Sequence, residues 1–271
     1  MAKYKKKRAR ELRHDRFRDT TMGFFDRLGD ALEGKGRTIL YGIGGLLLAA
    51  ILVVVFVKWN HRKNDEARQA LGRAITITKA PVMNTPLAGA GNTELTFPSE
   101  VERAQQAIAE FEKVAAKYGD PYRTESRYFI ASNRLVLDRQ KGLSELEELS
   151  KSNITEVATL SKFALAQAKE SDGKLDEAAQ LYSDIVKQNS PTVSADTANL
   201  RLAKVYEKQG KKKEASDLLF NIVDTSRKAK GTDNQPLPTS AAAREAADAL
   251  QKLDPDRYAQ LPPETPPILA G

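Results

Sequence analysis

Residues able to do chemistry are few in this chain, and their spacing supports little of it. Gly29, Gly34 and Lys35 have the spacing G-x-x-x-x-G-K of a phosphate-cradling loop. The next residue is Gly36, where Ser or Thr would hold magnesium, and no strand pattern precedes the run. The two histidines, His14 and His61, each sit in a basic flank without partners at metal-ligand spacing. Cysteine is absent, which removes disulfides, thiolate metal sites, cysteine nucleophiles and a lipid-attachment cysteine. No G-x-S-x-G or H-E-x-x-H occurs. The carboxylate pairs Glu147-Glu148 and Asp176-Glu177 fall on the polar faces of helical patterns. The expectation is a binding protein, not an enzyme, with no cofactor, no metal and no small-molecule substrate.

The elements around these residues carry more information. Thr38–Val57 reads TILYGIGGLLLAAILVVVFV, twenty residues without charge or proline, thirteen of them Ile, Leu, Val or Phe. As a helix it is about 30 Å long, the thickness of a bilayer's hydrocarbon layer. The stretch exceeds the apolar part of a cleaved signal peptide and runs directly into Lys58, Trp59, Asn60, His61, Arg62 and Lys63. An uncleaved signal-anchor is therefore expected, with Trp59 at the interface. Within it Gly45 and Ala49 form a small-x-x-x-small pair suited to packing another membrane helix.

Charge is concentrated ahead of that stretch. Residues 1–37 hold twelve Lys/Arg and six Asp/Glu, nine of the cations between Lys3 and Arg18. The remaining residues hold 31 basic and 30 acidic side chains, so the overall excess of +7 belongs almost entirely to the arm. A short basic arm stays cytoplasmic and contacts anionic lipid. Aromatic side chains for base stacking do not recur in it, and no nucleic-acid partner is expected. Phe24, Phe25, Leu28, Ala31 and Leu32 recur at helical spacing, the pattern of a short interfacial helix. The expected topology is a single-pass protein of a bacterial inner (cytoplasmic) membrane, with a cytoplasmic N-terminus and a periplasmic or otherwise extracytoplasmic C-terminal domain.

Residues 58–98 read as a helical extension, with Ala67, Ala70, Leu71, Ala74 and Ile75 on one stripe, and then a flexible Pro/Gly-rich linker broken by Pro81, Pro86 and Pro98. From Ser99, which opens the capping box S-x-x-E with Glu102, helical periodicity continues to Leu253. Helices are expected at 122–138, 143–151, 155–171, 174–189, 193–209, 211–229 and 239–253, with no sheet. Residues 254–271 are proline-rich and expected to be disordered.

An internal repeat organises this domain. Leu160–Val186 aligns without a gap on Thr197–Val223, 37 residues later. Leu165 matches Leu202, Ala166 matches Ala203, Gly173 matches Gly210, and Glu177-Ala178 matches Glu214-Ala215. The alanines let paired helices approach closely, and the glycines suit the turn between them. A pair of this kind cannot bury its apolar stripe alone, so neighbouring pairs stack.

At these residues the chain resembles the tetratricopeptide (TPR) family. An aromatic keeps its family place as Tyr206, whereas the preceding unit has Lys169 there, and the pair across Tyr122–Lys151 lacks a nesting alanine. The fold this implies is all-α: an N-terminal transmembrane helix followed by a TPR-like α-solenoid over 99–253. The resemblance also implies a concave groove lined by first helices, through Phe163, Gln167, Glu170, Leu200, Lys204, Glu207 and Lys208, that binds proteins. The layout of basic arm, single span and TPR-like domain is similar to the ancillary subunit of the bacterial Sec translocon. It implies Sec components, exported chains or periplasmic chaperones as partners. A scaffold for cell division or envelope assembly is the alternative.

Overall fold

A computed structural model describes residues 36–83, 95–232 and 234–264; the side chains of 36–49, 54, 56, 57 and 59–61 lie outside the described residues. The basic arm, its short amphipathic stretch and the Gly29/Gly34/Lys35 spacing fall outside them too, as do the side chains of Gly45 and Ala49. The described residues form ten helices in order: α1 Gly36–Lys79, α2 Glu100–Lys117, α3 Tyr122–Leu137, α4 Arg139–Leu149, α5 Thr155–Ser171, α6 Leu175–Gln188, α7 Ala195–Lys208, α8 Lys212–Lys228, α9 Ala241–Leu253 and α10 Pro255–Tyr258. The described residues form no strand, only isolated bridges at Val82–Phe97 and Lys230–Pro236.

The chain divides into two units between Asp65 and Glu66. The first contains the apolar stretch, whose backbone is helical throughout. Ile51, Leu52, Val53 and Val55 there are 58–62% exposed. Among the residues whose side chains are described, which leave out most of this stretch, no helix is long and apolar enough to cross a membrane.

The second unit is built from successive antiparallel helix pairs. Local sequence sets most of their ends. Ser99 accepts the Glu102 backbone N–H at 3.2 Å, Ser194 that of Thr197 at 3.2 Å, and Ser240 that of Ala243 at 3.1 Å. Gly173 and Gly210 sit at φ +73° and +75° in the turns α5–α6 and α7–α8. Left-handed backbone costs glycine little, and the helix ends there while its partner starts within two residues.

Two expectations about the borders of this unit need correction. Residues 66–79 are part of the folded domain. Ala67, Leu71 and Ala74 are buried, and Leu71 and Ala74 share a cluster with Ala107, Phe111 and Val114 of α2 and Ile130 of α3. This segment is the first helix of the pair that α2 completes. The ends of the expected flexible linker are pinned: Met83 N–H donates to Phe97 O at 2.8 Å, and Phe97 N–H to Pro81 O at 3.0 Å. Pro81 follows the helix end as expected, and its carbonyl finds a backbone partner in Phe97.

The C-terminal residues are likewise ordered as far as 264. Asp254 caps α10, accepting from the Arg257 backbone at 3.1 Å and from Ser216 Oγ at 2.8 Å. Those hydrogen bonds hold its carboxyl below the usual aspartate value. Leu261 is buried against the cluster of Leu219, Ala246 and Leu250. Residues 254–261 thus close the last pair, which would otherwise leave an apolar face in water.

Candidate functional site

Each pair repeats one packing rule. A small residue in the first helix faces a small residue early in the second: Ala166 faces Ala178, and Ala203 faces Ala215, all fully or almost fully buried. One and two turns later on the second helix come Tyr182 and Ile185, or Leu219 and Ile222. The α3–α4 pair obeys the same rule with Gly142 in the nesting place, followed by buried Leu146 and Leu149. A Cβ built on Gly142 would lie 2.7 Å from Leu135 N and 3.0 Å from Ala131 O. The missing alanine is therefore a glycine, and these two helices approach more closely than any Cβ allows.

Three residues beyond the small residue of each first helix the pairs diverge. In α3 and α5 this position holds a cation, and in α7 an aromatic. Arg134 pairs with Glu145 on its own second helix and with Glu112 on the preceding one at 3.4 Å. Lys169 pairs with Glu177 on its own second helix at 2.7 Å and with Glu147 on the preceding one at 3.8 Å. The Glu177 carboxylate raises the Lys169 amine, and the amine lowers the carboxyl in return. Tyr206 instead packs against both the cluster before it and the cluster after it.

The residues expected to line the groove do not all reach it. Leu200 is a core residue, 4% exposed, within the cluster of Ala203, Leu219 and Ala246. Helical spacing identifies the face but cannot separate a groove wall from the layer beneath it. Phe163 is half-buried, with its ring edge on Tyr182 at 5.7 Å. Glu170 keeps only 11% of its side chain exposed, accepts from the Tyr182 hydroxyl at 3.1 Å and pairs with Lys208 at 2.5 Å. Burial, followed by the Glu170 charge, pushes the Tyr182 phenol far up. Lys204 pairs with Glu245 of α9, which lowers that carboxyl. The charges of this half therefore join α5, α7 and α9 to one another. Gln167 and Glu207 are exposed.

Nearer the other end of the row of first helices lies a cavity of about 170 Å³ that the sequence had not singled out. It is walled by Leu71 and Ile75 of α1, Glu125, Tyr128 and Phe129 of α3, and Glu156, Val157 and Leu160 of α5. Burial and then the charge of Glu156 raise the Glu125 carboxyl, while Arg68 acts the other way. Among the described residues no group of three or more His, Cys, Asp or Glu could hold a metal ion.

These stacked pairs match a family pattern. The family model described as a tetratricopeptide repeat-like domain covers residues 98–235, half of the chain. The chain belongs to this family. No curated protein and no solved structure matches it. The tetratricopeptide-like match spans α2 to α8, while the structure adds a first helix before it, in residues 66–79, and a closing helix after it, in α9. Domains of this family are typically non-catalytic modules that bind proteins.

Proposed function

We propose that this chain is a membrane-anchored interaction module, an accessory factor in protein export or envelope protein folding at the Sec translocon. Protein binding follows from the family; the anchor and the location are the further step. The observation that carries it is the uncharged run Thr38–Val57. Its described large side chains on successive faces, Ile51, Leu52 and Val53, are each about 60% exposed. A soluble helix of this length keeps a polar face, whereas one in lipid needs none. The basic arm ahead of the run supports a cytoplasmic N-terminus and an extracytoplasmic tetratricopeptide-like domain. Lipid then contacts the run and the arm, and the partners are Sec components, exported chains or periplasmic chaperones.

The test is fractionation with alkaline carbonate together with photocrosslinkers at Gln167 and Glu207. The full chain is expected in the membrane pellet, cross-linked to extracytoplasmic or Sec proteins. Recovery in the carbonate supernatant defeats the anchor; cross-links to cytoplasmic proteins alone defeat the location. Septal concentration of a tagged copy would move the role to cell division.

A further inference from the structure

The two halves of the first-helix face differ in how their charges are used. Around α7 both lysines have a carboxylate on the neighbouring first helix, Lys208 with Glu170 and Lys204 with Glu245. Around the cavity between α1, α3 and α5 the carboxylates of Glu125 and Glu156 form no ion pair among the described residues. Arg68, the cation acting on Glu125, donates its Nε–H to the Tyr122 hydroxyl at 3.2 Å.

The walls are mainly aliphatic and aromatic, through Leu71, Ile75, Phe129, Val157 and Leu160. Such a cleft holds one long side chain. An apolar stem lies favourably along these walls, and two carboxylates at the rim favour a cationic head. A neutral apolar occupant would leave Glu125, already half-buried, further desolvated without compensation.

We propose that this cleft receives a lysine or arginine side chain from a protein partner, stem against the apolar walls and charged head between Glu125 and Glu156. The inference rests on the interaction-module reading and names the chemistry its partner must present. It also assigns selection to the α1–α3–α5 end of the face, where two carboxylates without an ion pair among the described residues line one cavity.

The test uses the full-length chain in mild detergent. The probes are short labelled peptides identical except for one central residue, Lys, norleucine or Glu, flanked by leucines. Fluorescence anisotropy is expected to show the Lys peptide binding about fivefold more tightly than the norleucine one, the effect of one partly exposed ion pair. Glu125→Gln with Glu156→Gln keeps the volume and is expected to abolish that preference while leaving norleucine binding unchanged. Glu156→Lys is expected to favour the Glu peptide. Equal binding of Lys and norleucine peptides overturns the proposal, as does a Lys preference that survives the double glutamine change. Displacement of the Lys peptide by vesicles with ethanolamine headgroups would assign the cleft to lipid and overturn it as well. A partner still cross-linked at Gln167, with no lysine preference, sinks this inference alone. Loss of both sinks the module reading too.

Discussion

The α3–α4 and α5–α6 pairs can be set against α7–α8, since one structural position is filled in two ways. Arg134 and Lys169 stand where Tyr206 stands, three residues after the small residue of the first helix. Each cation reaches a carboxylate on its own second helix and another on the preceding second helix. Tyr206 spans the same junction by packing on two clusters. A stacked repeat therefore needs a bridge at this point but not a particular chemistry. The two bridges differ in strength and in their response to solvent. An aromatic contributes mainly through buried area, which salt does not screen. An ion pair whose carboxylates are about half exposed, as Glu147 and Glu177 are, contributes little and is screened.

The largest expected effect that sharpens this contrast is at the tyrosine. Tyr206→Ala should cost about 2–4 kcal/mol, read from urea unfolding by circular dichroism. A loss below that of Lys169→Ala would reverse the ranking of the two bridges. Next comes the nesting site of the cation-bridged pair. Gly142→Ala should cost about 1–3 kcal/mol through overpacking against Leu135 and Ala131, despite alanine's better helix propensity. A stabilised variant would show that α3 and α4 can move apart.

Lys169→Ala should cost about 1 kcal/mol or less, falling further in high salt. Its pH dependence has a definite sign. The Glu177 carboxyl is lowered on folding, so its share is present above about 4.5 and is lost as pH falls through the lowered folded value. The Lys169 amine is raised, so its share is present below about 10.5 and is lost as pH rises through the raised folded value. The gap between parent and Lys169→Ala should accordingly close in acid and in strong base. In acid the gap for Tyr206→Ala should stay open. Finally, Gln167→Ala, at an exposed position with no hydrogen-bond partner among the described residues, should change stability by less than about 0.5 kcal/mol.

Much of the helical architecture was legible before any coordinate. Ala166, Gly173 and Ala178, repeated at Ala203, Gly210 and Ala215, mark a close-packed pair and its turn, because few residues tolerate close approach or left-handed backbone. Gly142 was legible in principle by the same logic, as a residue smaller than alanine in the alanine's place. The stripe Ala67–Leu71–Ala74 announced a buried face without saying against what. The contents of the site were less legible. Leu200 and Phe163 have the spacing of groove residues, and Glu125 and Glu156 have the composition of any solvated helix start.

By themselves the letters determined that the domain is helical, where the two repeated pairs turn and nest, and that one long uncharged run stands apart from the rest. These are local properties, set by backbone conformation, side-chain volume and periodicity within a few turns. Only the tertiary structure decided that residues 66–79 complete the first pair, that Leu261 closes the last, and that Glu170 is tied to Lys208 while Glu125 keeps its charge uncommitted. Those outcomes depend on which surfaces meet across tens of residues. Many side chains fit an apolar face, and only packing selects the ones that touch.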